Sequence, residues 1–145
     1  MVLPGHEMAS ELDAYHELCA YTLTHGDAEF IHQHVVDAFA AQRATPSSKP
    51  IGVTFALVGL YLHVEKQYSG RHVQRVHMQL ARRKRTWPTF ALPPNRGATT
   101  ALDVMAAPAG PERDRAIHEW CVTVWEAFAA NRQAVVDLLK QYDIG

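Results

Sequence analysis

The segment PIGVTFALVGLYLHV, Pro50 to Val64, constrains the fold more than any other part of this chain. It is apolar on nearly every side, so protein has to surround it. Its β-branched residues are compatible with a strand. Its length, the proline at its start and the lack of any partner strand predict a central buried helix instead, over Pro50 to Tyr68. The segment is too short and too interrupted to cross a bilayer, which takes about 20 residues. Gly52, Ala56 and Gly59 recur at helical spacing and let a neighbour come close, and His63 is next on that stripe.

A helix buried on all sides needs a shell, and the remaining sequence supplies amphipathic helices. Ser10 reads as an N-cap, followed by a helix to Thr24 with Leu12, Tyr15, Cys19 and Leu23 as its apolar stripe. HGD, His25 to Asp27, reads as a tight turn, with Gly26 closing one helix and Asp27 capping the next. That next helix spans Ala28 to Arg43, with Ile31, Val35, Ala38 and Gln42 inward. ATPSSKP breaks the chain before the central helix, and Ser69 and Gly70 break it after. Arg71 to Arg85 is the fourth helix. Residues 86–98, rich in proline, read as an ordered loop pinned by Trp87 and Phe90. A short helix from Thr99 to Ala106, capped by Thr99 or Thr100, precedes a long one from Pro111 to Tyr142. The expectation is an all-α, single-domain bundle over residues 1–145, of four main helices plus one or two short ones, with residues 1–8 a flexible arm.

With 145 residues, 48% of them hydrophobic, the chain can bury a real core without a disulfide or a metal. Cys19 and Cys121 are far apart, fit no zinc spacing and read as reduced buried thiols. The start of the chain has neither a basic end nor an apolar run, so a cytoplasmic protein with no membrane segment is expected.

Seven of the nine histidines lie between His16 and His77. In FIHQHVVDAF, His34 and Asp37 are three apart and share a helix face, whereas His32 and His34 point about 200° apart and cannot serve one ion together. Counting residues across the turns predicts two layers. One holds His16, Glu17, His34 and Asp37; the other holds His32, His63 and His77. Inward histidines and carboxylates on facing helices are how bundles build metal sites, and this donor set suits a divalent transition metal such as Zn, Fe, Mn or Ni. Three readings follow: histidines satisfied within the core, a metal site with metal-assisted hydrolase or transferase chemistry, or a metal-free acid–base or small-ligand pocket.

Six of the 14 basic residues fall within Arg71 to Arg85, and Arg71, Arg75 and Arg82 share one face as a candidate anion site. That face suits a phosphate, a nucleotide or an acidic partner. A net charge of −1 and no interleaved aromatics argue against nucleic acid. A homodimer through the small-residue stripe or the last helix is the further alternative.

YHELCAYTL, IHQHVVDAFAAQ, GLYLHVEK, WPTF and VWEAF together resemble an uncharacterised bacterial family, a domain of unknown function with an "HxxTVDAYxxQH"-like motif. The resemblance spans almost the whole chain. It implies a single all-α domain and a motif containing His32, Asp37, Gln42 and Glu65. The chain departs from it with Val35 for threonine, Phe39 for tyrosine and Arg43 for histidine. A looser similarity to DinB-like metal-binding bundles is one of architecture, and the three-histidine spacing of that group is not matched.

Overall fold

The computed structural model describes residues 4–24, 29–83 and 86–144, and the side chains of the first helix from Ser10 onward. It is all-helical, with no strand among the described residues. The order is α1 (Pro4–Thr24), α2 (His32–Gln42), α3 (Pro50–Val64), α4 (Gly70–Arg83), α5 (Ala101–Ala106), α6 (Pro111–Ala127), a 3-10 turn (Ala129–Asn131) and α7 (Arg132–Gln141).

The apolar segment does become the central helix. Val53, Ala56, Leu57, Val58, Leu60 and Leu62 of α3 are buried, with α2, α4, α6 and α7 packed around them. The helix stops at Val64 and not at Tyr68. Gln67 adopts a left-handed φ of 59°, and the Tyr68 N–H reaches back to the Leu62 carbonyl at 3.0 Å, which closes the last turn. Chain reversal there brings α4 against the segment before α2. Gly70 is required at that contact, because a Cβ would overlap the Phe30 carbonyl oxygen and lie 2.7 Å from its carbon.

Three expectations need correction. First, α1 begins at Pro4, so Ser10 lies inside the helix instead of capping it. Its buried stripe is Ala14, Leu18 and Thr22, whereas Leu12 is 41% and Leu23 59% exposed. Small residues on that stripe let α2 and α5 come close. Second, the last helix is broken. Phe128 ends α6, a 3-10 turn follows, and the Asn131 side chain leaves the helix ladder to grip the backbone of Ala91 from both sides, at 2.7 and 3.0 Å. Third, α2 starts at His32. The expected HGD turn lies outside the described residues, as do Lys84 and Arg85.

Other expectations hold. Thr100 opens α5 with its backbone N–H on the Asp103 carboxylate at 2.8 Å. Phe90 is buried and Trp87 packs edge-on against Phe55, pinning the loop. Of the two cysteines expected to be buried, Cys121 is buried and Cys19 is only half-buried. Among the described residues no helix is long and apolar enough to cross a membrane.

Candidate functional site

Helices α2 and α3 run past each other so that residues 34 and 37 of one meet residues 63 and 59 of the other. Both pairs are one turn apart on their helices. At the first level, the His34 and His63 rings stack with centroids 3.6 Å apart and planes 22° from parallel. At the second level, the Asp37 side chain fills the notch left by Gly59. A Cβ on Gly59 would overlap Asp37 Oδ2 and lie 2.6 Å from its Cγ. Thus α3 uses a small residue where α2 carries a carboxylate, and the two helices approach closely over a polar group.

Helix α6 completes the site. His118 sets its ring at right angles to His63, with His118 Nδ1 and His63 Nε2 3.1 Å apart. One turn on, the Cys121 thiol points at the His34 carbonyl at 3.6 Å. The three imidazoles form a column from surface to core: His118 exposed, His63 half-buried, His34 buried.

The hydrogen bonds define the tautomers. His63 Nδ1 faces the Tyr68 carbonyl oxygen at 3.4 Å, and a carbonyl can only accept, so Nδ1 carries the proton. A neutral His63 then has its lone pair on Nε2 and accepts from His118 Nδ1–H. His118 is left with its lone pair on Nε2. Burial, opposed by the Tyr68 contact, lowers the His63 pKa to about 4. Burial, with the neighbouring His63 and His118 rings adding to it, lowers that of His34 to about 3. Both rings are therefore neutral near pH 7.

Asp37 is the opposite case. Complete burial pushes its carboxyl well above the usual range, although a hydrogen bond from Gln33 Nε2 to Oδ1 at 3.1 Å pulls the other way. Asp37 Oδ2 and His34 Nδ1 are fully buried and find no hydrogen-bond partner among the described residues. Burial and the nearby Asp37 both raise the Cys121 thiol, which makes it an inert core residue.

The two expected layers do not form. His16 and Glu17 are exposed on α1, on the far side from His34 and Asp37. The side chains α1 turns toward α2 are Tyr15, stacked on Phe39 at 3.8 Å, and Thr22, whose hydroxyl meets His32 Nδ1 at 3.0 Å. His32 therefore ties α2 to α1 and does not reach His63. His77 is buried on α4 with Nε2 on the Phe55 carbonyl at 2.9 Å, and burial lowers its pKa to about 4. His63 belongs with His34, two residues along α2 from the expected His32.

Glu65 and Gln42 have structural roles. Glu65 accepts from the Trp125 indole at 2.7 Å and pairs with Arg132 at 2.7 Å, joining α3, α6 and α7. Gln42 accepts from Trp120 at 2.9 Å and donates to the Thr99 and Arg96 carbonyls at 2.7 and 3.2 Å, fastening the proline-rich loop. His118 was absent from the expected set. It sits in PERDRAIHEW, where charged neighbours mark a solvent face. The available signal was its place three residues before the buried Cys121.

Among the described residues no group of three or more His, Cys, Asp or Glu side chains is arranged to hold a metal ion. The stacking gives the reason. A metal lies in the plane of each imidazole that binds it, and two nearly parallel rings 3.6 Å apart share no such point within bonding distance.

Residues 12–129 match the model of a family of unknown function, DUF5946. The chain belongs to this family. No curated protein and no solved structure matches it. In this DUF5946 chain the matched span contains the whole histidine column with Asp37 and Gly59, and stops before α7.

Proposed function

We propose that the chain is a small-ligand bundle whose histidine column is a metal-free acid–base site, with His118 as the group that meets the ligand. The observation that supports this reading is the 3.1 Å contact between His118 Nδ1 and His63 Nε2. A base held in one tautomer by a second group is the minimum equipment for proton abstraction or nucleophilic attack. His63 fills that second role, and the stack on His34 fixes the His63 ring. Behind it lie His34, which burial keeps neutral, and the buried Asp37 carboxyl. Burial keeps positive charge off the inner rings, and His118 is the member of the column exposed to solvent.

The test uses p-nitrophenyl acetate, an activated acetyl donor whose leaving group is p-nitrophenolate, with protein purified without a histidine tag. Release of p-nitrophenolate faster than that caused by free imidazole is expected. His118→Ala should abolish it, and His63→Phe should cut it by about tenfold, the usual scale for losing one orienting contact. Wild-type rates in both variants would overturn the proposal. So would stoichiometric Zn, Mn, Fe or Ni in elemental analysis, which would restore the metal reading.

A second reading rests on α4. Arg71, Arg75 and Arg82 are exposed on a helix that carries no acidic residue from Gly70 to Arg83. This favours an anionic ligand on that face. The guanidinium of Arg71 lies over the Phe30 ring at 5.3 Å, and Arg83 donates to the Tyr142 carbonyl at 2.9 Å, so the face is built from Arg75 and Arg82 with Arg71 at its edge. Binding to polyphosphate that weakens steeply with salt would support it, and no binding at low salt would remove it.

A further inference from the structure

The proline-rich loop has more hydrogen bonds than a simple connection requires. Asn131 grips Ala91 on both backbone groups, and Gln42 holds the carbonyls of Arg96 and Thr99. The Arg96 guanidinium returns to the carbonyls of Gln42 and Ala44, directly before the connection between α2 and α3. Loops this long without regular structure are usually functional. Here the clamps hold residues 88–92 at a fixed separation from residues 45–53. Between the two lies a pocket of about 400 Å³.

Its walls are Pro46, Pro50, Pro88 and Leu92, and Val53 and Phe90 are buried beneath them. Three prolines and a clamped loop mean walls that lose little entropy when a ligand binds. Among the described residues no charged side chain lines it. The polar groups are the hydroxyls of Thr45, Ser48 and Thr89. Thr45 and Ser48 spend theirs on the local turn, through Thr45 Oγ1 with Ser47 and Ser48 Oγ with the Thr45 N–H. Thr89 is exposed and its hydroxyl has no hydrogen bond among the described residues. Volume, rigidity, apolar lining and one available hydroxyl meet the ordinary requirements of a small-molecule site.

We infer that this pocket binds an uncharged, largely apolar small molecule carrying one hydrogen-bonding group, which pairs with Thr89. It is built from elements other than those of the histidine column, and the inference does not depend on that site. The probe is N-phenyl-1-naphthylamine, an uncharged dye that fluoresces in apolar surroundings. Saturable binding of one dye per chain is expected, insensitive to salt. Val53→Phe, which fills the floor, and Thr89→Trp, which closes the exposed mouth without touching the core, should each weaken it by at least about tenfold. Melting curves check that Thr89→Trp stays folded. Decanol should displace the dye, and decanoate should do so at least about tenfold less well, because no cation among the described residues lines the pocket to pair its carboxylate. Non-saturable binding, wild-type affinity in both variants, or equal displacement by decanol and decanoate would each overturn the inference.

Discussion

Two polar regions of this bundle handle their hydrogen-bonding groups in opposite ways. At the tryptophan contacts every group is used: Gln42 makes three side-chain hydrogen bonds, and Glu65 meets both the Trp125 indole and the Arg132 guanidinium. In the histidine column His34 Nδ1 and Asp37 Oδ2 are buried and unpartnered among the described residues. Satisfied polar groups hold helices in register, while unsatisfied ones carry a cost that folding alone does not explain. The difference marks the column, and not the two tryptophan contacts, as the region shaped for something besides stability.

The largest test of that comparison is acid. His34, His63 and His77 have folded pKa values of about 3, 4 and 4, against about 6.5 in an unfolded chain. Between pH 6.5 and 4 the unfolded chain binds more protons, so stability falls as pH falls through that window. Asp37, with its raised pKa, works in the opposite direction over the same range, but as one group against three. Urea denaturation at pH 7 and pH 4.5 should show a loss of several kcal/mol, roughly the scale of one or two such shifts. Equal midpoints at the two pH values would mean that the rings are not held neutral.

Next in size is Gly59→Ala, which forces a methyl group onto the Asp37 carboxyl. A loss of about 2–3 kcal/mol is expected from overpacking. Asp37→Ser in the same chain should recover most of it, and a double-mutant cycle measures that coupling. Additive losses would show that the notch and the carboxyl are not matched.

The smallest effects separate the two regions directly. Gln42→Ala strands the Trp120 indole and frees the loop, and should cost about 2 kcal/mol with faster amide exchange at residues 91–99. Asp37→Asn removes no satisfied acceptor at Oδ2, and should stay within about 1 kcal/mol of the parent. If the ranking of these two in urea denaturation were reversed, the comparison would break.

The helical pattern was legible because the apolar period of 3.6 survives in most segments, and the central helix announced itself by having no polar face. What failed was phase and level. On α1 the contact stripe is Ala14, Leu18 and Thr22, of which only Leu18 is large and apolar, so the spacing of Leu12 and Leu23 gave the stronger but misleading signal. Across the 43–49 connection a count of residues located His63 to within about a turn, and His32 and His34, two residues apart, both fall inside that interval. The break between α6 and α7 was hidden because Asn131, in an alanine-rich helical sequence, acts through a distant backbone at Ala91. His34 and Asp37 were visible as a pair, but their lack of partners is a property of packing.

The Gly59 notch also limits the order in which this protein can change. A lineage that gains a side chain at position 59 before it shortens position 37 passes through an unstable intermediate. The permissive step is loss of the carboxyl, and only afterwards does the glycine become replaceable. Relatives should therefore carry glycine with aspartate, glycine with a smaller residue at position 37, or neither, and aspartate opposite a residue larger than glycine should be rare.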